Sequence, residues 1–178
     1  MLPEISLHIL DIAQNSIRAG ASLIRIDVRE EEGLLSVEIR DDGCGMTPEL
    51  CARAADPFVT TRTERRVGLG LALYRLAAEI TGGSFALESE PGAGTAVTAV
   101  FCTESVDCMP LGDLDGTMYA LITLNPDRDF RFSRTRGEKT AELDTRAFRA
   151  ELGDMGLDEP EVRAYIREYL TEMTDGLM

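Results

Sequence analysis

Four short stretches carry residue types that could do chemistry. In "LHILDIAQNSIRAGAS", residues 7–22, a helix would place Ile5, Ile9, Ile12, Ala13 and Ile17 on one apolar stripe. Beside that stripe Asp11, Asn15 and Arg18 recur at spacings of four and three, so an acid, an amide and a guanidinium share one face a turn apart. In "DDGCGM", Asp41, Gly43 and Gly45 follow a strand pattern. A carboxylate there can accept from an exocyclic amine, and glycines let a flat ring approach the backbone. In "VGLGLAL", Gly68 and Gly70 open a helix, whose N–H groups and dipole favour phosphate. "PGAGT", residues 91–95, is a glycine turn before a strand. Each motif alone is weak, but four in one order at strand and helix junctions make a strong joint signal.

Those residues need a scaffold, and the chain can build one. Its 178 residues suit one domain, or one domain with a small extension. Period-two alternation in "SLIRIDVR" and "LLSVEIR", joined by "EEEG", predicts a hairpin with one buried face and a solvated acidic turn. Thr47 and Pro48 predict the start of a short helix. A longer helix runs through Leu69, Ala72, Leu73, Leu76, Ala77 and Ile80 to Gly82-Gly83, and two strands follow. The fold class is α+β, a two-layer α/β sandwich over residues 1–103, with a small α+β C-terminal extension over 104–178. That extension reads as a helix ending at Asn125-Pro126, a hairpin turning near Arg136-Gly137 and two helices. The last helix carries Val162, Tyr165, Ile166, Tyr169, Leu170 and Met173 on one stripe, which could be core or a docking face.

A formal charge of -14 argues against nucleic acid and anionic membranes, since both need a basic footprint. The acidic excess is shared: nine basic and fifteen acidic residues up to Phe101, nine and seventeen after it. A phosphate-rich ligand must therefore be held by Mg²⁺, backbone amides and a few arginines. No apolar run approaches the roughly 20 residues that span a bilayer, and the N-terminus has no signal-peptide pattern. Cys44, Cys51, Cys102 and Cys108 form no CxxC pair, so reduced thiols in a cytoplasm are expected.

Residues 5–101 resemble the GHKL (Bergerat-fold) ATPase superfamily of gyrase, the heat-shock chaperone ATPase, histidine kinases and mismatch-repair ATPases. "AQNSIRAGAS" is similar to the N-box, "DDGCGM", "VGLGLAL" and "GAGT" to its three glycine boxes, and "DPFVTTRT" to the lid motif of histidine kinases. The resemblance implies ATP and Mg²⁺ as ligands, with Asn15 coordinating the metal and Asp11 orienting or activating a water. It implies Asp41 at the adenine amine, and backbone approach at Gly43, Gly45, Gly68, Leu69 and Gly70. Arg18 and Arg62 would meet the phosphates, and Thr60, Thr61 and Thr95 would complete the nucleotide site. Asp11 is one methylene shorter than the Glu usual there.

Only seven residues precede His8, the sole histidine, so the usual dimerisation hairpin with its phospho-accepting His is not in this sequence. The chain thus resembles small stand-alone ATP-binding proteins of the histidine-kinase kind, some of them encoded beside iron-only hydrogenase genes. His8 itself reads as a helix residue packed or hydrogen-bonded at the pocket edge, with autophosphorylation the sharper alternative. Two functions follow. One is a cytoplasmic ATPase or kinase that hydrolyses ATP or passes its γ-phosphate to a partner protein. The other is a non-catalytic, ATP-dependent binding switch, anti-sigma-like or accessory to a redox system. A homodimer is compatible with either.

Overall fold

The computed structural model describes residues 2–56 and 69–178. Its elements run α1 (Ile5–Arg18), β1 (Leu23–Glu31), β2 (Leu34–Asp41), α2 (Pro48–Ala54), α3 (Gly70–Glu79), β3 (Ser84–Glu90) and β4 (Gly94–Cys102). Then follow α4 (Leu114–Leu124), β5 (Asp129–Arg136), β6 (Lys139–Asp144), α5 (Thr145–Leu152) and α6 (Pro160–Leu177). The six strands form one sheet in the order β3-β4-β2-β1-β5-β6, antiparallel except where β5 runs parallel to β1. The strands of the C-terminal segment therefore extend the sheet begun by the first half.

Period-two alternation gives that sheet two unlike faces. Rows of inward side chains cross it in register, for example Leu87, Val97, Ile39, Ile26, Phe132 and Leu143. Over this face lies one layer of helices in which α1 touches α3 on one side and α4 on the other, and α4 touches α6. Ile5, Ile9, Ile12 and Ala13 of α1 share a single continuous core with Met118 and Ile122 of α4 and Ile166 and Leu170 of α6. The opposite face is polar and laced with partly exposed ion pairs such as Arg40–Glu38 and Arg131–Glu142, both at 2.8 Å. Such pairs keep the face wet and add little stability.

Local signals set the element ends. Thr47 Oγ1 accepts from the Leu50 N–H at 3.3 Å and Pro48 opens α2, as its sequence predicts. Asp113 caps α4 through the Gly116 N–H at 2.8 Å. The start of α1 is held differently, because no side chain among the described residues caps it. Its Ile5 and Ser6 N–H groups instead donate to the carbonyls of Pro110 and Leu111 at 3.0 and 2.8 Å. The segment after β4 thereby satisfies donors that a helix start leaves open.

The acidic β1–β2 turn departs in part from the solvated reading. Glu31 and Glu32 are exposed, but Glu30 pairs with Arg134 at 2.8 Å, and Arg134 reaches Thr174 of α6 at 3.2 Å. Thr174 in turn donates to Asp115 of α4 at 2.8 Å. Burial holds the Asp115 carboxyl above the usual carboxylate range, against the opposing bond from Thr174. Pairing β5 beside β1 brings Arg134 to Glu30, a contact between residues a hundred positions apart that no local pattern announces.

Phe132 is 1% exposed at the centre of β5. Phe132→Ala should lower stability by about 3–5 kcal/mol through transfer and cavity terms. Because β5 pairs with β1, the loss should appear in one unfolding transition seen both by far-UV circular dichroism and by the thiol reactivity of Cys51. Two separated transitions would contradict a single shared core.

Candidate nucleotide site

The inner face of β2 ends at Asp41, which pairs across the strands with Thr95 of β4 and leads into the glycine turn. Its two carboxylate oxygens are held from different directions. Oδ1 accepts from the Gly43 N–H at 2.9 Å, and Oδ2 accepts from Ser16 Oγ of α1 at 2.6 Å. The neighbouring Asp42 does other work: its Oδ1 accepts from the Ser22 and Leu23 N–H groups at 2.7 and 3.0 Å, fixing the entry to β1. Of the two acids in "DDG", Asp41 is the one that faces the helix layer.

The glycine turn is pinned on both sides. The Cys44 N–H donates to the Ala19 carbonyl at the end of α1, and the Cys44 carbonyl accepts from Gly92 in the β3–β4 turn, at 2.9 and 2.8 Å. Gly45 has φ +65°, and a Cβ there would collide with the Glu90 carbonyl, so both conformation and space demand glycine. Ser89 Oγ ties the set together: it accepts from the Met46 N–H at 2.9 Å, lies 3.0 Å from the Gly94 carbonyl and shares a hydrogen bond with Thr95 Oγ1 at 2.8 Å.

At the other end of the seam, the Asp11 carboxylate lies against the first residue of α3. A Cβ on Gly70 would collide with Asp11 Oδ2, so the carboxylate lies this close to the helix because position 70 carries no side chain. Leu69, the residue before the helix, is exposed, and no side chain among the described residues caps α3. An uncapped helix start presents donors and a positive dipole end to an anion. One turn along α1 from Asp11, Asn15 Oδ1 accepts from Arg18 Nη1 at 3.1 Å. From Asp11 to Ser16 the helix rises about 7.5 Å, so α1 reaches from the α3 start to Asp41, with Asp11 and Asn15 on one face and Ser16 turned toward the core.

These residues suit a magnesium nucleotide. Asp41 is a fixed acceptor for an amine, no side chain among the described residues caps the α3 start, and Asn15 offers the oxygen a hard cation prefers. Of the residues singled out in the sequence, Thr60, Thr61, Arg62 and Gly68, and most of the "DPFVTTRT" motif, lie outside the described residues. Ser16 and Ser89 were not singled out. Ser16 has a weak signal, a hydroxyl on the core side of the helix beside Asn15. Ser89 sits in an ordinary alternating strand and has none.

His8 is not at a pocket edge. It is 1% exposed, its ring stacks on Tyr74 with centroids 5.4 Å apart, and neither ring nitrogen has a hydrogen-bond partner among the described residues. A nitrogen so buried cannot meet a phosphoryl group without unpacking α1 from α3, which weighs against the autophosphorylation reading. Burial lowers its pKa below the ordinary value, against the opposing attraction of Asp11.

A sheet covered on one face, with polar groups gathered at the seam between sheet and helices, is the architecture of the Bergerat-type ATP-binding sandwich. Residues 4–105 match the family model of histidine kinase-, DNA gyrase B- and HSP90-like ATPases, and the chain belongs to that family. It is 41% identical over 69 residues to the sensor histidine kinase DcuS of Escherichia coli K12, covering 39% of this chain and 12% of that protein. It is 31% identical over 101 residues to the histidine protein kinase DivJ of Caulobacter vibrioides, covering 54% of this chain and 17% of that protein. The chain thus spans less than a fifth of either relative. Among solved structures, the N-terminal domain of a DNA repair protein shares the fold with a TM-score of 0.54 at 18% identity, over 80% of this chain and 53% of that one. The chain carries an ATP-binding domain of the histidine-kinase type. No helix among the described residues is long and apolar enough to cross a membrane.

The buried His8 carries a pH signature. Its native pKa is lowered, so below about pH 6.5 the unfolded chain binds the proton the native state refuses, and stability falls as pH falls. Denaturant melts at pH 7.5 and 5.5 should show wild type losing more stability than His8→Leu. Equal losses would mean that the imidazole protonates in place.

Proposed function

We propose that this chain binds Mg·ATP and either hydrolyses it or passes its γ-phosphate to a partner protein. Asp41 accepts the adenine amine, and Thr95 lies beside it with its hydroxyl held by Ser89. Gly43 and Gly45 bring backbone close to the base. Asn15 supplies the protein oxygen for the cation, and Arg18, hydrogen-bonded to that same amide, stands at the phosphate end. Gly70 and Leu69 offer the donors of the α3 start, with Arg62 and Gly68 assigned to phosphate, and Thr60 and Thr61 to the nucleotide, by motif. Mg·ATP supplies the activated phosphoryl group. Asp11 orients the attacking water or acceptor hydroxyl and takes its proton.

The observation that carries this reading is the Asp11 carboxylate set against the start of α3, which no side chain among the described residues caps, one turn from Asn15. A base beside an anion-binding helix end is the arrangement phosphoryl transfer needs, because its catalysis is mostly positioning and charge stabilisation. Residues 104–178 would supply the partner-facing or regulatory surface. The second reading, an ATP-operated binding switch without turnover, draws on the bonds from Ile5 and Ser6 to Pro110 and Leu111. Through them any shift of α1 on nucleotide binding reaches the C-terminal segment.

The test is incubation with Mg²⁺ and γ-labelled ATP, following free phosphate and label retained on protein. Asn15→Ala should weaken Mg·ATP binding about tenfold or more. Asp11→Asn should bind normally and lose turnover by about 100-fold or more. Binding without turnover or label, in wild type and with no change in Asp11→Asn, would favour the switch. Failure to bind ATP would overturn both readings.

A further inference from the structure

Position 16 of α1 is a core position. It falls four residues after Ile12 and three after Ala13, on the stripe that packs inward, and its side chain is 4% exposed. Alanine would fill it without burying a polar atom. A serine there costs desolvation unless its hydroxyl is satisfied.

Two acceptors compete for that single hydroxyl proton. The Ile12 carbonyl lies at 3.4 Å, the usual back-bond of a helical serine, and Asp41 Oδ2 lies at 2.6 Å. The short contact to an ionised acceptor is the stronger by a wide margin. The proton therefore points at Asp41, and the carboxylate is clamped, one oxygen by Ser16 from the helix layer and the other by the Gly43 N–H at 2.9 Å from the glycine turn. With its proton committed, Ser16 Oγ has only lone pairs left to present, as Asp41 does. The edge that Asp41 offers the base is then acceptor-only.

We infer that Ser16 is the positioning residue that sets base specificity at this site, by holding Asp41 as a fixed, acceptor-only edge that takes a purine with a 6-amino group and repels one with a 6-oxo group. This rests on the reading of Asp41 as the base-recognising residue. Discrimination needs the clamp because an unclamped carboxylate can turn about its terminal torsion and relieve the clash with a carbonyl oxygen. Sites built of fixed polar groups reject a mismatched partner far more strongly than apolar pockets do. Ser16 also follows Asn15 directly, so the same turn of helix that fixes the base edge carries the amide assigned to the cation.

The experiment compares ATP and inosine triphosphate, which differ at the 6-position, by titration calorimetry with Mg²⁺ on the full chain. Wild type should favour ATP. In Ser16→Ala the ATP affinity should fall about tenfold or more, and the ratio of the two affinities should shrink with it. Ser16→Thr keeps the hydroxyl and should keep the ratio. Circular dichroism melts check folding. If Ser16→Ala does not fold, Ser16→Cys, which leaves no void and offers a weaker donor, should show the same narrowing.

Equal weakening of both nucleotides in Ser16→Ala or Ser16→Cys, with the ratio intact, would overturn the inference and leave Ser16 as packing alone. Asp41→Asn separates the two levels. If Asp41→Asn abolishes discrimination while the Ser16 variants keep it, only the role of Ser16 fails. If Asp41→Asn leaves ATP binding and the ratio unchanged, the base-recognition reading fails and the inference with it.

Discussion

Everything in the site hangs on α1 having to bury one face. Ile5, Ile9, Ile12 and Ala13 are removed from water against the sheet and the neighbouring helices. A helix turns about 100° per residue and is stiff over its 14 residues, so burying that stripe fixes where every other side chain points. Asp11 and Asn15 fall at the seam between layers because the stripe leaves them no other place. Ser16 then reaches Asp41, and Ala19 reaches Cys44, without any further adjustment.

The site must also accept a polyanion on a strongly acidic chain. Local fields decide this rather than net charge, since exposed charges beyond about 10 Å are screened. Many acids lie on the open sheet face and the helix exteriors, paired with arginines or in water. At the seam stand the α3 start and Arg18, with a metal ion expected to arrive with the ligand. Asp11 gains from the same helix dipole that a phosphate would use.

The C-terminal segment does structural work for α1. β5 continues the sheet beside β1, α4 packs on α1, and the carbonyls of Pro110 and Leu111 cap the helix that bears Asp11 and Asn15. The position of the helix that carries the N-box residues is therefore set from both halves of the chain.

Local periodicity determined most of the elements. Alternation in "SLIRIDVR" and "LLSVEIR" specified the first hairpin, Thr47-Pro48 a helix start, and Gly137 the last turn, because each depends on backbone preferences and one buried face within a few residues. Motif order was enough to name the family and the two-layer sandwich. Tertiary structure alone decided the rest. The alternation of Leu35, Val37 and Ile39 already puts Asp41, and not Asp42, on the inward face, but only the packed α1 brings the Ser16 hydroxyl to it. Only the parallel pairing of β5 with β1 takes Glu30 out of solvent to Arg134. His8 looked like a pocket-edge residue because its spacing to Asp11 is helical. It is core because α3 lays Tyr74 over it, and contact between helices tens of residues apart leaves no trace in local sequence.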